Sequence, residues 1–88
     1  MDKTFDKEAF KEKLEAQMTF PALYMFKFIV LTGQEHEVAA LLPNNDMELK
    51  NSSQGKYVSV TIRAMMASSD AVLDVYERAS KIEGVIAL

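Results

Sequence analysis

The stretch LYMFKFIVL, residues 23–31, decides the fold of this 88-residue chain. It is dense in aromatic and β-branched residues, which favour strands. Side chains alternate between the two faces of a strand, so one face carries Tyr24, Phe26, Phe28 and Val30. The other face is also apolar except for Lys27. The pattern therefore predicts a central strand that is covered on both faces.

The stretch YVSVTIRAM, residues 57–65, predicts a second long strand with one buried face. Its apolar side carries Val58, Val60, Ile62 and Ala64, and its mixed side carries Tyr57, Ser59, Thr61 and Arg63. We expect these two stretches to be neighbours at the centre of one sheet, because they are the most hydrophobic strands of the chain.

The segments outside these two strands predict helices and short strands. An amphipathic helix is expected over residues 4–17, capped by Thr4 or Asp6, and its charged side is interpreted as a solvated face. The spacing of Thr32 and Glu35 predicts a capping box and a helix ending near Leu42. A short edge strand over 47–51, a helix from Ser68 to Gly84 and a terminal strand over 85–88 complete the pattern.

After the first helix, the order β, α, β, β, α, β matches the split βαβ or ferredoxin-like arrangement. The predicted fold class is α+β, with a four-stranded antiparallel sheet of order 4-1-3-2. Two helices cover one face of it, and the N-terminal helix is an addition. We divide the chain into an N-terminal extension, residues 1–19, and one ferredoxin-like domain, residues 20–88.

Composition excludes several classes of function. The chain has no cysteine, which removes disulfides, thiolate nucleophiles and cysteine-held metals. Thirteen acidic residues outnumber ten basic ones that form no cluster, so nucleic-acid binding is not expected. No apolar run suits a membrane span and the N-terminus does not resemble a secretory signal, so we expect no membrane contact and a cytoplasmic protein.

No residue pattern indicates catalysis, a cofactor or a metal. Gly55-Lys56 lies in a serine-rich loop, but a strand follows where a phosphate-binding loop needs a helix, so a hairpin connection is the better interpretation. His36 is the single histidine, and a solvated position at a helix start suits it better than a metal site. We therefore predict that the chain is not an enzyme and holds no cofactor.

Several short stretches of the sequence resemble the YbeD-like family of small bacterial proteins of unknown function. They are Phe20-Pro21, the run Ser52-Ser53-Gln54-Gly55-Lys56-Tyr57 with its alternating strand, Tyr76, and the ending Gly84-Val85 with Leu88. The resemblance implies a ferredoxin-like fold similar to ACT-type regulatory domains, which bind amino acids and dimerise, and it implies no activity. The segment between Leu31 and Met47 is shorter than the family's crossover helix, so less of the sheet is expected to be covered.

The predicted outer face of the sheet is the best candidate for contact with a partner. It is expected to present Met25, Lys27, Ile29, Tyr57, Thr61 and Arg63. We hypothesise that either the N-terminal helix, through Phe5, Phe10 and Leu14, or a second copy of the chain covers this face.

Two functions from different classes fit these expectations. The first is a non-enzymatic interaction or regulatory domain that contacts itself or a protein partner through its sheet face or edge. The alternative is an ACT-like amino-acid sensor with a ligand at a dimer interface near Thr32 and Gly33.

Overall fold

The computed structural model describes residues 6–52 and 54–87 of the chain. The elements are α1 (Lys7–Gln17), β1 (Ala22–Leu31), α2 (Glu35–Ala39), β2 (Asp46–Asn51), β3 (Tyr57–Met66), α3 (Ser69–Ala79) and β4 (Ile86–Ala87). The four strands form one antiparallel sheet in the order β2-β3-β1-β4, which reads 4-1-3-2 from the β4 edge. The described chain is thus an α+β structure with an open sheet and three helices.

The two long strands lie side by side at the centre of the sheet, as the sequence predicts. All ten residues of β1 have a partner in β3, from Ala22 opposite Met66 to Leu31 opposite Tyr57. Most inward positions of both strands are buried, and the buried ones are Phe26, Phe28, Val30, Val58, Val60, Ile62, Ala64 and Met66. Alternation along two long strands therefore builds one side of the hydrophobic core.

All three helices contribute to the core on the same side of the sheet, which we call the helix side. Leu14 of α1, Val38 of α2 and Val72 of α3 join the inward strand residues in one cluster. The N-terminal helix thus adds to the helix layer, and the opposite side of the sheet, the outer face, has no described helix packed on it.

Within the single chain, the prediction that β1 is covered on both faces is wrong. On the outer face Leu23 is 61 % exposed and Met25 is 54 % exposed. Apolar side chains along a strand show only that burial is favourable, whereas a covered second face also requires another layer of structure. Local sequence does not supply that layer.

The start of α2 also differs from the prediction. The N-cap residue is Gln34, and it makes no side-chain capping hydrogen bond. The Thr32 hydroxyl instead donates to the Gly55 carbonyl oxygen, and the Glu35 carboxylate accepts from the Gly33 N–H. A partner from a distant loop therefore replaces the local capping box. The helix also ends at Ala39, before the expected Leu42.

Most ends of the other elements lie near the predicted ones, with the C-terminal end of α3 as the exception. Asp6 caps α1 by accepting from the Ala9 N–H at 3.2 Å, and the alternative cap Thr4 lies outside the described residues. Ser68 caps α3 by accepting from the Ala71 N–H. That helix ends at Ala79, earlier than predicted. The last strand spans only Ile86–Ala87, and Leu88 lies outside the described residues.

Candidate interaction surface

The structure places all six residues of the predicted contact face together on the outer face. Across the β1–β3 pair, Met25 lies opposite Arg63 and Lys27 lies opposite Thr61. Ile29 and Tyr57 lie further along the same strands, each opposite an outer-face neighbour. The alternation read from the sequence therefore located these side chains, since side chains directly opposite in an antiparallel pair share a face.

The outer face has two apolar ends. At one end Leu23 lies opposite Met65, which is 64 % exposed, and Met25 adjoins them. At the other end Ile29, Tyr57 and Ile86 line a shallow depression of about 580 Å³ that also touches Lys50. Exposed apolar surface of this kind is uncommon on small soluble domains unless it contacts something.

A polar belt separates the two apolar ends. It contains Lys27 and Thr61 at the centre of the sheet and Glu48 on the β2 side. The Arg63 guanidinium lies 3.8 Å from the Glu48 carboxylate, and both side chains are solvent-exposed. The outer face therefore has apolar side chains at its two ends and polar side chains between them. Protein–protein interfaces have a similar mixed composition.

The hypothesis that α1 covers the outer face is wrong, because α1 packs against α3 on the helix side. The Lys7 ammonium lies 2.6 Å from the Glu77 carboxylate, and the Lys11 ammonium lies 3.2 Å from that of Asp70. Phe5, one of the three residues expected to make the contact with the outer face, lies outside the described residues.

The charges on α1 form part of this helix pair. Asp70 raises the pKa of the Lys11 ammonium through a side-chain hydrogen bond, and Lys7 lowers the pKa of the Glu77 carboxyl in the same way. The Ser69 hydroxyl donates to the Glu15 carboxylate at 2.6 Å. These α1 side chains remain exposed or half-exposed, as expected of a solvated face, and they also contact α3.

A groove on the helix side was missed by the sequence reasoning. It encloses about 700 Å³ and is lined mainly by Phe10, Tyr24, Leu73, Tyr76 and Val85. The hydroxyl oxygens of Tyr24 and Tyr76 lie 3.1 Å apart in a hydrogen bond, and burial raises the pKa of Tyr76. The available signal was the presence of tyrosine at two core-facing positions, because buried tyrosines need a partner for their hydroxyl.

The turn proposed for an amino-acid ligand makes its polar contacts within the chain. The Thr32 N–H donates to the Lys56 carbonyl oxygen at 2.9 Å, and the Thr32 hydroxyl donates to Gly55. The Gly33 N–H donates to the Glu35 carboxylate at 2.6 Å. These groups tie the end of β1 to the loop between β2 and β3.

The other two candidates occupy exposed positions. Gly55 has φ +73° in the loop between β2 and β3, a conformation that glycine adopts without strain, and Lys56 follows it directly into β3. His36 is exposed near the start of α2. Within the described residues, no three acidic or histidine side chains are grouped as metal ligands would be. None of the described helices has the length and apolarity to span a membrane.

Comparison with known proteins gives the chain a family. The family model described as protein of unknown function (DUF493) matches residues 15–88. A UPF0250 protein of Shewanella oneidensis is 34% identical over 83 residues, covering 83% of this chain and 91% of the relative. A UPF0250 protein of Shewanella baltica is 32% identical with the same coverage. No solved structure matches the chain. With a family model spanning most of its length and these relatives beside it, the chain belongs to the DUF493 (UPF0250) family of small bacterial proteins of unknown function, with which the YbeD-like resemblance is consistent.

Proposed function

We propose that this chain is a non-enzymatic interaction domain that binds a protein partner through the outer face of its sheet. The observation that supports this proposal is the apolar end of that face, where Leu23, Met25 and Met65 are each more than half exposed. Burying such side chains at an interface removes apolar area from water at a gain of about 25 cal/mol per Å². In this proposal the fold is used in the ferredoxin-like manner, with helices on one side and the other side free for contact.

The polar belt would give the contact its specificity. Lys27, Glu48 and Arg63 are fixed on strands rather than on loops, so a partner meets them in a set geometry. Charges at an interface mainly reject wrong partners and fix register. A partner with apolar groups at two ends and complementary charges between them would match this face.

The test compares partner capture by surface variants of the full chain. Leu23→Ser with Met25→Ser removes two exposed apolar side chains of the outer face, and Ala9→Ser with Ala16→Ser makes a matched change on the exposed side of α1. We expect immobilised wild-type chain and the α1 variant to retain the same proteins from bacterial lysate. The outer-face variant should lose them. Equal retention by both variants would contradict the proposal.

The ACT-like sensor is the second candidate, and the structure supports it less. The hydroxyl and amide groups of Thr32 and Gly33 already bond within the chain, so a ligand there would have to displace those contacts. A thermal-shift screen with amino acids and nucleotides separates the two functions. A ligand at a hundred times its dissociation constant should stabilise the fold by about 2.7 kcal/mol, which is readily detected.

A further inference from the structure

The strand β2 forms one edge of the sheet, and every one of its six residues is exposed. Met47 lies opposite Ile62 and Leu49 lies opposite Val60, so both project to the helix side. They are nevertheless 39 % and 51 % exposed. The described helices, among them the five-residue α2, leave the helix side of β2 uncovered.

The backbone hydrogen-bonding direction of β2 follows from the residue after it. The Ser52 N–H donates to the Tyr57 carbonyl oxygen at 2.9 Å, and these two residues continue the β2–β3 register. In antiparallel strands the direction of the backbone groups alternates with each residue. Asp46, Glu48 and Lys50 therefore direct theirs to β3. Met47, Leu49 and Asn51 direct their N–H and C=O groups outward, away from the sheet.

The outer-face side chains of this edge are complementary to themselves. Glu48 and Lys50 are two residues apart and both are exposed. If β2 pairs antiparallel with β2 of a second copy so that the two Leu49 residues lie opposite each other, each Glu48 lies opposite a Lys50. A shift of two residues in one direction sets Glu48 opposite Glu48, although it also sets each Asp46 opposite a Lys50, and a shift in the other direction sets Lys50 opposite Lys50. Like charges directly opposite are destabilising, and among these three registers the one centred on Leu49 has opposite charges paired without any like-charge pair.

We propose that two copies of this chain associate edge to edge through β2, with Leu49 at the two-fold axis, to form one continuous sheet. The outward groups of Leu49 pair with those of Leu49 in the second copy, and those of Met47 pair with those of Asn51. Each such pair exchanges two backbone hydrogen bonds. The Leu49 and Met47 side chains of both copies then meet on the helix side, where neither chain covers them alone.

The same register places the charges at the close positions of the ladder. Glu48 and Lys50 form the pairs without mutual backbone bonds, in which the side chains of opposite strands are nearest. This inference deepens the proposed function, because it names a second copy as one partner and the β2 edge as its binding site. It does not use the outer-face apolar ends.

The test is a charge exchange followed by analytical ultracentrifugation of the full chain. Wild type should show a concentration-dependent monomer–dimer equilibrium. Glu48→Lys alone and Lys50→Glu alone each set like charges opposite one another twice, so each should raise the dimer dissociation constant about tenfold or more. The double variant Glu48→Lys with Lys50→Glu restores opposite charges and should dimerise like wild type. Mixing the two single variants should yield a heterodimer.

A second variant tests the backbone pairing. Leu49→Pro removes the outward N–H at the two-fold axis and should abolish the dimer, because proline is tolerated on an edge strand but cannot donate. Lys13→Glu reverses an exposed charge on α1 and should leave the dimer unchanged. Circular dichroism of each variant verifies that it is folded.

Three results would overturn the proposal. They are a wild type that is monomeric at all concentrations, a dimer that neither single variant weakens, and single variants whose mixture fails to associate. Each of these leaves the capture experiment on the outer face unaffected, since its variants lie on different side chains. Equal retention of partners by the two capture variants, together with an intact β2 dimer, would contradict the outer-face proposal and leave the dimer proposal standing.

Discussion

At the scale of single residues, Tyr76 connects α1, α3 and β1 through its contacts with four aromatic rings. Its ring centroid lies 5.4 Å from that of Phe26 and 5.8 Å from those of Phe28 and Phe10. Its hydroxyl bonds to Tyr24. An aromatic residue with a polar tip suits this position, because the ring fills the core while the hydroxyl reaches the groove.

The raised pKa of Tyr76 predicts a loss of stability at alkaline pH. Burial favours the neutral phenol, so its stabilising contribution is complete below the unfolded-state pKa of about 10 and is lost as pH rises above it. Tyr76→Phe keeps the ring and removes the hydroxyl, which should lower the free energy of unfolding by about 1 kcal/mol at neutral pH.

Urea unfolding of both proteins across neutral and alkaline pH measures this effect. The difference in the free energy of unfolding between wild type and Tyr76→Phe should shrink as pH rises, because only wild type can ionise at this position. Other groups titrate in both proteins and cancel in the difference. A difference that stays constant to high pH would contradict the prediction.

At the scale of elements, α1 is held by the buried Leu14 and the partly buried Phe10, with charged contacts around them. Leu14 is its single fully buried residue among those described, while Lys7 and Lys11 pair with acidic residues of α3 at the surface. Exposed ion pairs contribute little to stability. The attachment of α1 should therefore depend on Leu14 and Phe10 more than on these ion pairs.

Leu14→Ala should lower the free energy of unfolding by about 2 to 4 kcal/mol, since it removes a buried side chain and leaves a cavity. Amide hydrogen exchange in α1 should speed up more than exchange in β1 and β3, because α1 would detach first. Lys13→Ala, a change at an exposed position of the same helix, is the control. If α1 stays as protected as in wild type, the helix is held by other contacts.

The elements also show what sequence reasoning can and cannot reach. The positions of β1, β3 and α3 follow from alternation and from the Ser68 cap, which are local properties. The cap expected at Thr32 failed because its hydroxyl finds Gly55, 23 residues away in the chain. The exposure of Leu23 likewise depends on whether another element packs on the outer face, and the local sequence pattern does not predict whether it does.

At the scale of the whole molecule, the sheet separates the buried side chains that stabilise the fold, on the helix side, from exposed side chains on the outer face that are free to contact a partner. Ile62 is buried on the helix side, whereas Met65 lies on the outer face three residues further along β3. The outer-face candidates were predictable, because alternation alone assigns them. The two tyrosines gave a local signal that their hydroxyls need a partner, but the groove itself was not predictable, since it forms where two helices and a strand meet.

This division predicts unequal costs for substitutions on the two faces. Ile62→Val should lower the free energy of unfolding by about 1 kcal/mol, because a buried methyl group is lost. Met65→Ser should change it by less than about 0.5 kcal/mol, because that side chain is mostly in water already. Thermal or chemical unfolding at low protein concentration compares them in the monomer. A larger loss from Met65→Ser would mean that the outer face is covered within one chain.

Both faces of β1 are largely apolar, so hydrophobicity alone specifies the β1–β3 register weakly. The charged side chains Lys27 and Arg63 add a specific penalty for the wrong register. If β1 slipped by one residue against β3, its side chains would exchange faces, and Met25 and Ile29 would replace Phe26 and Phe28 inside at small hydrophobic loss. Lys27 would then enter the core without a counter-ion, and a matching slip of β3 would bring in Arg63. Such burial is prohibitive, so two charges that contribute little to the native core exclude its nearest misfolded competitor.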